Sequence, residues 1–241
     1  FKAIKNLKNY GRGYLNFGDP ISINQYLNDN QPDWRESIHA TDVQKPQWLG
    51  PQVANLADQV MVKINNAAAL NSVNLLAMIL LVNDKHALSK PKLLAQLEFY
   101  LRLQREASYS NKITAPDETP EQLLEHALKL NKFDVISDEF GEIIAINDKE
   151  KTLFNYYRNN ILHIFAVPSL VALHLFKQHQ STVTHCHQLV KSFYPLFAKE
   201  WYLQELDDNY VARILTNFSD QGLIELDGDN IKVTQNNDSF A

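Results

Sequence analysis

Asn155, Arg158, Asn159 and His163 are the residues whose types and spacing could carry chemistry. Spaced at three, one and four on a helix, they gather on one side, opposite an apolar stripe. A buried guanidinium costs several kcal/mol unless it is paired, so Arg158 and its neighbours must meet carboxylates, carbonyls or a ligand. A substrate site would satisfy that demand, and so would a buried polar or interdomain network, the reading we adopt.

The densest set of metal-ligating types is His174, His179, His185 and His187, beside Cys186. His185 and His187, two residues apart near a helix start, point in different directions, and no second cysteine or regular four-ligand spacing accompanies them, so no metal site is expected. Cys186 as a nucleophile would need a base and an orienting group that three nearby histidines do not supply; local packing is its expected role. The chain has neither Gly-x-Gly-x-x-Gly nor Gly-x-x-x-x-Gly-Lys-Ser/Thr, so no phosphate-cradling loop and no cofactor is expected.

The element that must position the quartet is the longest helical pattern, from about Asp148 to Lys177. Leu153, Tyr157, Ile161, Ile164, Val171 and Leu175 form its apolar stripe, and beyond His163 the other side turns apolar too, as expected of a buried central helix. Asn147 with Glu150 fits a capping box, and Pro168 should bend the helix. The stretch from Ile161 to Phe176 holds two His and a Pro, so a core helix is preferred to a membrane span.

The 241 residues, 45% apolar, suffice for one large or two small domains. The net charge of −5 lies wholly in the last quarter: residues 181–241 carry four Lys/Arg against nine Asp/Glu. One cysteine suits a reducing compartment, and a start at Phe1 reads as an excised piece. Lys2, Lys5 and Lys8 share a helical face that fits solvent better than anionic lipid.

Tyr14 to Phe17 alternates like a strand stopped by Gly18-Asp19-Pro20, and residues 29–51 read as a wrapping loop. A helix from Pro51 to about Asn65 follows, then one from Ser72 to Val82 that is wholly apolar from Leu75 on. An order then repeats. Ser89 caps a helix to about Arg105, Thr119-Pro120-Glu121-Gln122 boxes another, and Phe133–Ser137 with Glu142–Ile146 make a hairpin. Thr182, then Asp207 or Asp208, cap the corresponding helices, before a hairpin of 223–226 with 231–234. The fold class expected is mainly α with small β-hairpins (α+β), as two tandem winged-helix-like units over 72–146 and 147–241. Winged helices raise nucleic-acid binding as the rival function. The helix Asp208–Gln221 has only Arg213 against two aspartates, and no nucleic-acid partner is expected.

Gly13-Tyr14-Leu15-Asn16-Phe17-Gly18-Asp19-Pro20, Pro32-Asp33-Trp34-Arg35-Glu36-Ser37-Ile38, Met61-Val62-Lys63-Ile64-Asn65-Asn66-Ala67, Asn131-Lys132-Phe133 and Tyr156-Tyr157-Arg158-Asn159-Asn160 together resemble the C-terminal region of the bacterial membrane-bound sn-glycerol-3-phosphate acyltransferases. The resemblance implies an enzyme that moves a fatty acyl group from acyl-acyl carrier protein or acyl-CoA to the first hydroxyl of glycerol 3-phosphate in phospholipid synthesis. It also implies a place at the cytoplasmic face of the inner membrane, with peripheral membrane contact through the parent protein. The family's catalytic His-x-x-x-x-Asp pair is missing, because no histidine here has Asp five positions on. Its Arg-bearing phosphate motifs are missing too, so no catalytic residue carries over. Residues 1–20 then become the trailing edge of the acyltransferase α/β domain, 21–71 a wrapping loop and helix, and the expected partner is the chain's own upstream catalytic domain.

Overall fold

A computed structural model describes residues 13–38 and 45–234; the expected basic face at Lys2, Lys5 and Lys8, and His39, lie outside them. The described chain is mainly helical with two small sheets. Helices α1 (Ile23–Asn30) and α2 (Leu49–Asn66) precede α3 (Ser72–Leu81), whose run from Leu75 to Leu80 is almost wholly shielded from water. Asn71 starts α3 by accepting from the amides of Val73 and Asn74, while the Asn74 side chain accepts from the Asn71 amide.

After α3 come β1 (Ala87–Ser89), α4 (Lys90–Glu106), α5 (Pro120–Leu128) and the hairpin of β2 (Phe133–Asp138) with β3 (Gly141–Ile146), which form an antiparallel sheet in the order β1-β3-β2. The capping box at Thr119 is formed in both halves, and Gly141 takes φ +128 where the hairpin turns. After α6 (Lys151–Asn159) and α7 (Leu162–Gln178), the order recurs as β4 (Gln180–Thr182), α8 (Val183–Trp201), α9 (Tyr210–Asp220), β5 (Ile224–Asp227) and β6 (Asn230–Val233), with sheet order β4-β6-β5. In each sheet a three-residue strand pairs with the last hairpin strand: Ala87–Ser89 opposite Ala145–Ile143, and Gln180–Thr182 opposite Lys232–Asn230. Thr182 caps α8 with its hydroxyl, whereas Ser89 stands at the same place before α4 without a side-chain cap bond.

Four expectations are corrected. The helix expected from Asp148 to Lys177 is two, bent by 81° between Asn159 and Leu162. The bend lies at Asn160-Ile161, not Pro168. Asn159 and Asn160 are weak helix formers whose amides compete for backbone, and Ile161, with φ −123 and ψ −2, leaves the helix to bury its side chain. Pro168 is carried inside α7 because the carbonyl it leaves unpaired, that of Ile164, accepts from the buried Tyr210 hydroxyl at 3.4 Å. Glu150 completes no capping box: its carboxylate pairs with Lys132 at 2.6 Å, and Asn147 alone accepts from the Lys149 amide. Residues 14–17 form no strand. They pair with no neighbouring backbone, leave Leu15 and Phe17 exposed, and are held by the Asn16 side chain, which donates to the Ala67 carbonyl and to the Thr114 hydroxyl.

Among the described residues no single helix is long and apolar enough to cross a membrane; only the bent pair α6–α7 passes by combined length and composition. Ile164, Phe165, Val167, Val171 and Leu175 of α7 are instead buried in the same apolar cluster as α3, α4 and α9. The recurring halves meet where α4 packs on α9. Phe99 stacks on Phe218 at 6.2 Å, Asn217 donates to Glu106 at 2.6 Å, and Arg213 reaches the Ser108 carbonyl.

Candidate functional site: a groove beside the helix break

The break after α6 scatters the quartet. Asn155 turns back and donates to the Lys151 carbonyl. The Arg158 guanidinium donates from Nη2 to Asn159 Oδ1 at 3.3 Å, while its Nε is shielded from water without an acceptor among the described residues. Asn159 is exposed. His163, on α7 beyond the bend, is 5% exposed and donates from Nε2 to the Asn65 carbonyl at 3.0 Å. Arg158 and Asn159 thus meet each other, and His163 belongs to a different junction.

That junction ties the C-terminal end of α2 to the rest. The Asn65 side chain donates to the Trp201 carbonyl and Asn66 donates to Gln204 Oε1 at 2.8 Å. Gln204 in turn is held on both backbone atoms: its amide donates to the Tyr109 hydroxyl at 2.9 Å and its carbonyl accepts from the Tyr194 hydroxyl at 2.6 Å. The His163 ring stands edge-on to Tyr109 at 6.2 Å. Burial pushes the phenols of Tyr109, Tyr194 and Tyr210 up, so all three stay protonated at ordinary pH.

Burial also pushes His163 below its ordinary 6.5, against the opposing pull of the Asn65 carbonyl. The unfolded chain takes up a proton near 6.5 that the folded ring refuses, so the stability from a neutral His163 is complete above that pH and is lost as the pH falls through the folded value. Denaturant melts between pH 7.5 and 5 should show falling stability, with the fall reduced in His163→Asn. The half-buried His174, depressed by burial and by the stacked His185 ring 4.7 Å away, acts in the same direction.

Asn65 and His163 also border a groove of about 870 Å³. One bank is the segment from Tyr14 to Ile23; the other is α2 from Leu56 on, with Val60, Lys63 and Ile64; the floor comes from residues 67–71 and the end from Asn159, Asn160 and Trp201. The banks approach closely at Gly18, where an added Cβ would stand 3.2 Å from the Lys63 carbonyl oxygen. Asp19 is tied to Lys112 at 3.0 Å, and that bond holds its carboxyl below the usual range. Three of the five motifs quoted above, around Asn16, Lys63 and Asn159, converge on this one groove. Taken singly they are a loop, a helix end and a helix break, and only their common address in the fold shows what they share. Asn71 and Asn74 are missed for a different reason: two asparagines capping each other do not fit a Ser/Thr-x-x-Glu template.

The histidine cluster does not assemble. His174 contacts the Ser181 hydroxyl at 2.8 Å and stacks on His185, while Cys186 is fully buried. Among the described residues no three His, Cys, Asp or Glu side chains converge as metal ligands.

A sequence model described as the glycerol-3-phosphate acyltransferase C-terminal region matches residues 1–241. A glycerol-3-phosphate acyltransferase of Pseudoalteromonas translucida is 85% identical over 241 residues, all of this chain and 30% of the relative. One of Colwellia psychrerythraea is 45% identical over 219 residues, 89% of this chain and 27% of that relative. The chain thus spans about 30% of the length of the curated relatives it matches. With the match running from end to end, the chain belongs to the glycerol-3-phosphate acyltransferase family, as its C-terminal region.

Proposed function

We propose that this region is a non-catalytic support for an enzyme that transfers a fatty acyl group from acyl-acyl carrier protein or acyl-CoA to the sn-1 hydroxyl of glycerol 3-phosphate. The observation that carries the reading is the state of His163. Among the quartet it is the one group suited to proton transfer, and it is buried, held neutral and committed through Nε2 to a backbone carbonyl of its own fold. The missing His-x-x-x-x-Asp pair supports the same reading from the sequence side. Its placement at the cytoplasmic face of the bacterial inner membrane, in contact with the upstream catalytic domain, follows from the family resemblance.

The recurring order of helix, short strand, two helices and hairpin supports reading 72–146 and 147–241 as two winged-helix-like units, with 1–20 as the trailing edge of the catalytic domain. Such modules serve protein packing as well as nucleic acid. Packing is favoured here, because α9, the helix that would enter a DNA groove, lies against α4 through Phe218 and Asn217 and carries acidic Asp220. The test is complementation. A parent enzyme truncated before this region should lose acyl transfer in membranes and regain it when the region is co-expressed; full activity of the truncated enzyme would refute a supporting role.

A further inference from the structure

Helix α2 buries none of its eighteen residues. It is nevertheless amphipathic: Val53, Leu56, Val60 and Ile64 recur at steps of three and four, and Val53 and Ile64 are 56% and 57% exposed. Protein helices draw most of their stability from burying such a stripe, and α2 does not bury its own. Its tethers are at its ends, where the Tyr26 hydroxyl donates to the Gln52 carbonyl and where Asn65 and Asn66 bind the junction. The stripe therefore faces the groove and the water beyond it, and on the opposite bank Leu15 and Ile23 are exposed as well.

Two properties identify what covers this face. The groove lining holds six asparagines but a single Lys/Arg, Lys63, among the described residues. Amides mixed with aliphatic side chains suit a protein surface, whose backbone offers partners to both; a lipid surface would select apolar groups flanked by several cations. The second property is length: this C-terminal region is 30% of an 85% identical relative, so most of the full-length polypeptide is tethered ahead of it. The segment that leads from that tether, from Tyr14 to Ile23, is itself one bank of the groove. A tether of this kind makes docking intramolecular and raises its effective concentration.

We propose that the α2 stripe and the bank from Tyr14 to Ile23 form the seat on which the preceding polypeptide of the full-length acyltransferase packs. This rests on the reading of the region as a support, and it names the surface through which the support acts. The experiment uses the full-length enzyme in membranes. A photoreactive benzophenone amino acid at Ile64 should yield cross-linked peptides from the polypeptide that precedes this region. Adducts to lipid, adducts to a second copy, or no adduct at all would each overturn the proposal. Val60→Asp with Ile64→Asp should lower acyl transfer roughly tenfold or more and expose the junction between the two parts to protease, since charges in an interface core lose their hydration. Both positions are exposed within this region, so its own fold should tolerate them; unchanged activity together with unchanged protease resistance would overturn the assignment. If deleting the whole region leaves activity intact, the supporting role itself fails, whereas loss on deletion with no effect of the α2 substitutions sinks only this surface.

Discussion

Phe154→Ala should destabilise this region by about 3–5 kcal/mol, the usual cost of emptying a fully enclosed aromatic site. Phe154 is completely buried where α6 packs, with its ring 4.8 Å from that of Phe133 and 6.1 Å from that of Tyr157. It thereby joins the first hairpin to the helix that leads into the bend. Two residues on, Tyr156 is 62% exposed, and Tyr156→Ala should change stability by no more than about 0.5 kcal/mol. Urea denaturation of the two variants in parallel gives the contrast. Similar losses from both would mean that α6 does not pack as described.

The second large effect concerns the seam between the recurring halves. Phe218 is buried and stacks on Phe99, so Phe218→Ala should cost about 3 kcal/mol or more. Because this contact joins α4 to α9, its loss should also separate a single unfolding transition into two, which calorimetry detects as a broadened or double endotherm. Arg102→Ala, which removes a half-exposed ion pair with Glu106 on the same seam, should change stability little, because solvent screens such a pair, and should leave the transition single. A single sharp transition in Phe218→Ala would show that the halves are coupled elsewhere.

The sequence is most legible where a local signal decides the structure. The apolar run of α3, the capping box at Thr119 and both hairpins are marked by patterns spanning a few residues, and the structure forms them. It is least legible where a distant partner decides. Strands β1 and β4 have three residues each, too few for an alternation, and exist because β3 and β6 offer an edge. The bend at Asn160-Ile161 is hidden because the apolar stripe keeps helical period through it, and Pro168, the expected cause of a bend, is accommodated by a hydroxyl from α9. Arg158 and His163 share a helical face on paper; the bend sends them to separate places. The groove was the least visible feature, since its banks are some forty residues apart in the chain and are joined by Asn16 and Gly18.

Whether this region supports acyl transfer without performing it is tested most directly by acyl transfer from acyl-CoA to glycerol 3-phosphate by the purified 241 residues. Chemistry of this kind needs a base against the glycerol hydroxyl and cations against its phosphate, and removing groups that act together removes most of the rate. With full-length enzyme in membranes as the positive control, the purified region should show no turnover above the buffer blank. Turnover above the blank that disappears in His163→Ala or Arg158→Ala, with the fold retained, would place catalysis in residues assigned here to the structure.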